Sequence, residues 1–258
     1  MLATVALMLS FSTAPSLLAQ TTAAGEVDVE LVLAVDVSRS MDYEEVRIQR
    51  EGYVAALRHP DFFNAVRNGL VGKIAISYYE WAGAVDETSV LDWQVIETAE
   101  DAQAFASRLE ERPIGTQRRT SISAAIAEGA TMLLTNEFRG MRQVIDISGD
   151  GPNNVGQPVA PARDKAVDSG IIINGLAMML RPSGGGTPLD SYYEDCVIGG
   201  PGSFVLPVHE IEDFAIAVRR KLVLEVSGRT PASDIRKVAE ERTDCMIGER
   251  QWRNYLDR

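Results

Sequence analysis

Asp36, Ser38 and Ser40 place one carboxylate and two hydroxyls at alternate positions of a single short loop, in the run Ala34-Val35-Asp36-Val37-Ser38-Arg39-Ser40. Such groups can turn toward a common point as hard oxygen ligands, the donor type that suits magnesium, manganese or calcium. Two other segments carry matching parts. Arg119-Thr120-Ser121-Ile122 sets a threonine just ahead of a helix, and Ile147-Ser148-Gly149-Asp150-Gly151 ends a buried strand in Asp-Gly. An Asp-x-Ser-x-Ser string alone arises by accident in such a chain with a probability on the order of a few per cent, so its context decides.

That context is favourable. Positions 31–35 are continuously apolar, as a strand covered on both faces requires. The loop after them therefore lies at the carboxyl edge of a central sheet, where open α/β folds keep their sites. Beyond it Tyr43, Val46, Tyr53 and Leu57 fall on one stripe of a helix, and behind Thr120 the residues Ile122, Ile126, Ala130 and Leu133 form the inner face of another.

The hydrophobic pattern predicts strands near 30–37, 73–81, 89–96, 143–148, 171–178 and 203–207, and helices over 42–57, 99–110, 121–134, 158–169 and 211–226. This is an α/β chain with a doubly wound, mostly parallel six-stranded sheet and helices on both faces. The stretch 73–89 holds two strands around Gly83 with a connection too short for a crossover helix, so it reads as an antiparallel hairpin at the sheet edge. Residues 181–188 form a glycine-rich loop. Residues 229–258 are a polar extension with a helix expected at 233–241.

Taken in order, Asp36-x-Ser38-x-Ser40, Thr120 and Asp150 resemble the metal-ion-dependent adhesion site (MIDAS) of von Willebrand factor type A (vWA) domains. The resemblance spans roughly residues 27–228. More narrowly, Ser148-Gly149-Asp150-Gly151-Pro152-Asn153-Asn154 and Arg219-Arg220-Lys221-Leu222-Val223-Leu224-Glu225 look like exported bacterial proteins grouped as domain of unknown function 1194. The resemblance implies a cation held by Asp36, Ser38, Ser40, Thr120 and Asp150, some of them through water. Two carboxylates against a divalent ion leave it electrophilic, ready to accept one more oxygen from a protein partner that offers a carboxylate. Magnesium suits such a site because a small octahedral cation retains waters and completes its shell from a ligand; manganese and calcium are the alternatives.

Thr116 and Ser121 compete with Thr120 for the hydroxyl role, and Thr120 is preferred because it stands where the family's threonine does. Thr116-Gln117-Arg118-Arg119 departs from the glycine-rich approach common in the family, and puts two arginines beside the expected metal. Asn153 and Asn154 either line the ligand face or serve a turn. Tyr78, Tyr79 and Trp81 read as packing. Asp146 lies inside a buried strand with no partner that the sequence identifies, and His59 and His209 read as surface positions.

The 258 residues, 45% hydrophobic, suffice for one domain of about 200 residues with a full core. We divide them into a signal peptide at 1–24, a vWA-like domain at 25–228 and a C-terminal extension at 229–258. The net charge of −12 argues against nucleic acid or an anionic membrane as partner. Residues 1–19 carry no charged side chain and read as a signal-peptide core cleaved after Ala19 or near Ala24, with an uncleaved anchor as the rival. The expected location is periplasmic or secreted. Cys196 and Cys245, the two cysteines, would then form one disulfide tying the extension to the loop after the fifth core strand, so that reduction loosens the extension and leaves the metal loops untouched.

Enzymatic readings find less support. Ser38 replaces the second aspartate of an Asp-x-Asp phosphotransferase, and neither a Gly-x-Ser-x-Gly elbow, a phosphate loop with lysine nor a dinucleotide fingerprint is present in the sequence. A metal-free scaffold and, behind it, a metal-dependent hydrolase are the alternatives to a binding module.

Overall fold

The computed structural model describes residues 25–181, 187–231 and 243–256. The expected signal peptide and the helix expected at 233–241 lie outside these residues. So do the central residues of the 181–188 loop.

Strand β1 (Glu26–Asp36) is buried at every position but the first, and it occupies the middle of the sheet. Its parallel neighbours are β2 (Ile74–Trp81), entirely buried, and β4 (Arg139–Gly149). Outside β4 come β5 (Ile171–Met178) and the short β6 (Val205–Val208), both parallel. Outside β2 lies β3 (Val85–Ile96), antiparallel and joined through residues 82–84, so the hairpin read from the sequence is there. The full order is β3-β2-β1-β4-β5-β6. Continuous apolar runs form the central strands because both of their faces are covered; β3, with several exposed positions, closes one edge.

One face packs on α1 (Tyr43–Arg58), α2 (Pro60–Arg67), α3 (Ala99–Glu110) and α7 (Phe214–Ser227), through a core that includes Leu31, Leu33, Tyr53, Phe105 and Phe214. The other carries α4 (Ile122–Thr135), α5 (Val159–Asp168) and α6 (Leu189–Tyr192), around Val32, Ile126, Ile145 and Ile173. A π-turn (Tyr193–Val197) continues α6. Asp42 starts α1 by accepting from the Glu45 amide while the Glu45 carboxylate accepts from the Asp42 amide, a reciprocal capping box that stops the helix from reaching back into the Asp36 loop.

Three local readings change. Tyr43 is 60% exposed rather than part of the inner stripe of α1, because it sits in the first turn, beyond the reach of the core that takes Val46, Tyr53 and Leu57. The helix does not end the segment: Pro60, tolerated at a first helical position, opens α2 directly after His59. The polar extension also carries a helix beyond the one expected at 233–241. It forms α8 (Ile247–Leu256), and the expected Cys196–Cys245 disulfide is formed just before that helix.

The chain leaves β1 toward β2 on one side and returns through α4 to β4 on the other. Helices α1 and α5, which follow β1 and β4, therefore lie on opposite faces. Such a reversal opens a crevice at the carboxyl ends of the two strands. In register, Val35 faces Ser148, so Asp36 and Asp150 both emerge into that crevice.

Candidate metal centre

The first loop enters the crevice from β1. Asp36 is completely buried; its Oδ1 accepts the Ser38 amide at 2.7 Å, and its Oδ2 is buried without a hydrogen-bond partner. Gln49 of α1 donates to the Asp36 carbonyl at 2.8 Å and fixes the strand end. Ser38 Oγ lies 2.9 Å from Ser40 Oγ, and Ser40 Oγ donates to Asp150 Oδ1 at 2.7 Å. Hydroxyls of the first loop thus reach the carboxylate of the third.

The second loop is laced to the first by backbone: Arg39 N–H donates to the Gln117 carbonyl at 2.8 Å, and Gln117 N–H to the Val37 carbonyl at 3.0 Å. Arg119 adopts φ 73°, the left-handed region that glycine occupies at little cost. The missing glycine-rich approach is therefore replaced by an arginine holding a glycine-like backbone immediately before Thr120, a strained choice of the kind found at functional loops. Thr120 is buried and lines the same hollow as Ser38 and Ser40. Ser121 is engaged elsewhere, capping α4 through the Ala124 amide.

Asn153 and Asn154 turn out to be stitching residues. Asn154 Oδ1 accepts the Thr120 amide at 2.9 Å while its own amide donates to the Thr120 carbonyl at 2.8 Å; Asn153 Oδ1 accepts the Ser123 amide at 3.1 Å. The third loop is thereby clamped to the start of α4. Tyr78 and Tyr79 are buried and donate to Glu80 and to the Ala125 carbonyl, which places them in packing. His59 caps α2, accepting at Nδ1 from the Asp61 amide.

Electrostatically, the crevice disfavours bare carboxylates. Burial, then the neighbouring Asp150 carboxylate, holds Asp36 well above the usual carboxylate range; burial and Glu45 also raise Asp150, against the Ser40 hydroxyl and the Arg181 guanidinium. Arg181 Nη1 stands 3.8 Å from Asp150 Oδ2 and donates to the Ser40 carbonyl at 2.6 Å, while Nη2 pairs with Glu45. The phenol of Tyr193 is buried without a partner and raised by burial and by both aspartates. A side chain on Gly149 would come within 2.6 Å of that hydroxyl and 2.9 Å of Asp36 Oδ2, so the glycine is what lets β4 pass between them.

Two repelling buried carboxylates, one with an orphaned oxygen, are the arrangement that a divalent cation relieves. The donor set of carboxylates and hydroxyls fits a hard ion and not a thiophilic one. Among the described residues there is no cluster of three His, Cys, Asp or Glu side chains able to hold a metal, so hydroxyls must supply the remaining donors.

Sequence reasoning missed Tyr193, Arg181 and the whole of α8 at this site. Trp252 and Tyr255 of α8 line the hollow beside Ser38, Ser40 and Thr120. Their apolar spacing within a charged segment was the available signal.

Residues 26–230 match the model of a family described as a protein of unknown function, DUF1194. The chain belongs to the DUF1194 family. Among solved structures, this DUF1194 chain is similar to the pilus adhesin SpaC from Lactobacillus rhamnosus GG, at 14% identity and a TM-score of 0.59, covering 78% of this chain and 31% of that one. It is also similar to proximal thread matrix protein 1 from the mussel byssus, at 13% identity and a TM-score of 0.58, covering 78% and 48%. A further structure of the mussel protein, with a zinc-occupied MIDAS motif, gives 13% identity, a TM-score of 0.54 and the same coverage. At such identity the likeness shows the fold, which is that of vWA domains. The DUF1194 chain spans about half the length of the mussel protein and about a third of the adhesin. No curated protein matches it.

Proposed function

We propose that this chain binds one divalent cation through Asp36, Ser38, Ser40, Thr120 and Asp150, and uses the ion to hold a carboxylate of a protein partner. The observation that carries the reading is Asp36 Oδ2, buried, unpartnered and repelled by Asp150 in a crevice whose other donors are hydroxyls. A bound cation would supply a Lewis-acidic coordination position for an incoming oxygen. The chain's own part is to fix Asp36 through the Ser38 amide, join the loops through Ser40, and hold Thr120 in place through Asn154. Magnesium is the first candidate ion, with manganese and calcium behind it. The metal-bearing mussel structure supports the comparison, since its MIDAS motif is described as zinc-occupied.

The chemistry is recognition rather than turnover. The domain, residues 25–228, would act outside the cytoplasm after removal of residues 1–24, and the Cys196–Cys245 disulfide supports an oxidising compartment. Among the described residues no helix is long and apolar enough to cross a membrane. One observation favours a metal-free scaffold as the second reading: Arg181 already offsets part of the charge of Asp150. Calorimetric titration of magnesium and manganese into chelator-stripped protein separates the two. One saturable site, lost in Asp36→Ala, is the expected result; absence of binding in the unaltered protein assigns the scaffold.

A further inference from the structure

Helix α8 stands over the proposed metal loops, and three independent contacts put it there. The disulfide joins Cys245 to the buried Cys196 of the π-turn. Glu249 Oε1 accepts from Asn153 Nδ2 at 2.7 Å, the same asparagine whose Oδ1 holds the Ser123 amide. Gly248 meets the Asn153 backbone so closely that a Cβ there would lie 2.1 Å from the Asn153 carbonyl oxygen. The helix is thus docked on the third loop itself.

From this seat α8 presents two aromatic rings. Trp252 and Tyr255 stack with centroids 5.6 Å apart, and Arg119 lies 5.4 Å over the indole. Tyr255 is 69% exposed, although it stands beside a hollow of about 530 Å³ whose floor includes Ser38, Ser40 and Thr120. The same hollow is lined by Arg39, Arg118 and Arg119, all exposed. Three cationic side chains are thus gathered at one mouth of a chain carrying −12.

Resting on the metal reading above, we infer that α8 is a wall of the ligand-binding face, and that the partner is an acidic polypeptide segment bearing an aromatic side chain near its metal-binding carboxylate. The carboxylate goes to the cation, flanking acidic residues to Arg39 and Arg118, and the aromatic ring to the Trp252–Tyr255 shelf. Each element of the mouth then has a complement: charge for the arginines, a π-face for the stacked rings, an oxygen for the metal. The cation selects for a carboxylate in general, and α8 selects among the segments that carry one.

The test uses the full chain with its disulfide formed and an array of immobilised peptides, each with one central aspartate and varied flanking positions, read in magnesium and in chelator. Retention should require magnesium and should be about tenfold stronger for flanks holding Phe, Trp or Tyr with further acidic residues than for alanine flanks. Trp252→Ala with Tyr255→Ala should lose that tenfold preference while binding magnesium calorimetrically as the unaltered chain does. Gly248→Val, which displaces α8 without touching either ring, should do the same. Magnesium binding with no peptide retained, retention indifferent to the flanks, or variants that read the array as the unaltered chain does would each overturn the role of α8 and leave the metal reading standing. Absence of magnesium binding would remove the metal reading and this inference with it.

Discussion

Ser40 Oγ and Asp150 Oδ1 lie 2.7 Å apart although 110 residues separate them in sequence, so the loops after β1 and β4 are joined by a hydrogen bond at the point where a cation would join them. The donor is a proposed ligand, and so is the acceptor. The Ser40 oxygen would offer a lone pair to a bound cation while its O–H still donates to Asp150. Ser40→Ala should therefore weaken magnesium binding by about tenfold while moving the unfolding midpoint little, since a net hydrogen bond is worth only about 1 kcal/mol. Calorimetry beside thermal melts in chelator checks both halves.

Asp36→Asn separates ligand loss from structural loss more cleanly than alanine does, because an amide oxygen can still accept the Ser38 N–H. Removing the charge also ends the repulsion from Asp150. Magnesium affinity should fall by more than about 100-fold, since even losing a group behind a ligand costs about 10- to 100-fold. Without metal the variant should melt at or above the midpoint of the unaltered chain; a marked drop would assign Asp36 to the core instead.

Arg181 competes with the proposed ion for Asp150. Its side chain is half exposed and its Nη1 is 3.8 Å from Oδ2, so screening leaves the pair worth about 1 kcal/mol or less. Arg181→Ala should accordingly tighten magnesium binding roughly three-fold. Weaker binding would mean that Arg181 matters by anchoring the Ser40 carbonyl, to which it donates at 2.6 Å.

The carboxyl-end loops were legible in the sequence because Asp36 abruptly ends an uninterrupted apolar run and Asp150-Gly151 closes a second buried strand. The hairpin edge was legible from a connection too short to cross the sheet. Helix α8 was not: Glu249-Arg250-Gln251-Trp252-Arg253-Asn254 is too polar to announce a packed helix, and its docking comes from a disulfide and a glycine contact rather than from composition. Nor was the partner of Asp146. Lys221 ends the run of three cations Arg219-Arg220-Lys221, and it alone of the three is buried, beneath β4. Only the crossing of α7 over the sheet turns one of three neighbouring cations inward.

The disulfide closes a loop of 49 residues and should stabilise the docked extension by about 4 kcal/mol in the chain-entropy model. The sequence alone suggested that loosening the extension would spare the site. With Glu249 on Asn153, the change should reach the mouth beside the metal loops and leave those loops in place. Cys245→Ser should expose residues 243–256 to limited proteolysis and quench or shift Trp252 fluorescence, while magnesium affinity stays within about two-fold, because none of the five proposed ligands lies on α8. Unchanged protease resistance would show that the glycine and asparagine contacts suffice to hold the helix.

The buried charges beneath the site predict a pH dependence of stability. Lys221 Nζ lies 2.6 Å from both Asp146 Oδ1 and Glu225 Oε1, and Asn174 Nδ2 donates to Glu225 Oε1 at 3.1 Å. One cation between two buried carboxylates leaves one negative charge in excess. Burial, then Asp146, pushes Glu225 up to about 8 despite Lys221 and Asn174. The fold therefore keeps a proton that the unfolded chain releases near its ordinary value of 4.5. The stability that this proton contributes is fully present below pH 4.5 and is lost as pH rises toward about 8, a fall on the order of a few kcal/mol. Asp36 and Asp150, also raised, drift in the same direction, so the informative quantity is the difference between the unaltered chain and Glu225→Gln. The glutamine keeps an acceptor for Lys221 and carries no titrating proton. Its urea midpoint should fall less steeply between pH 5 and 8 than that of the unaltered chain, and parallel slopes would mean that Glu225 does not carry the pH dependence of stability across that range.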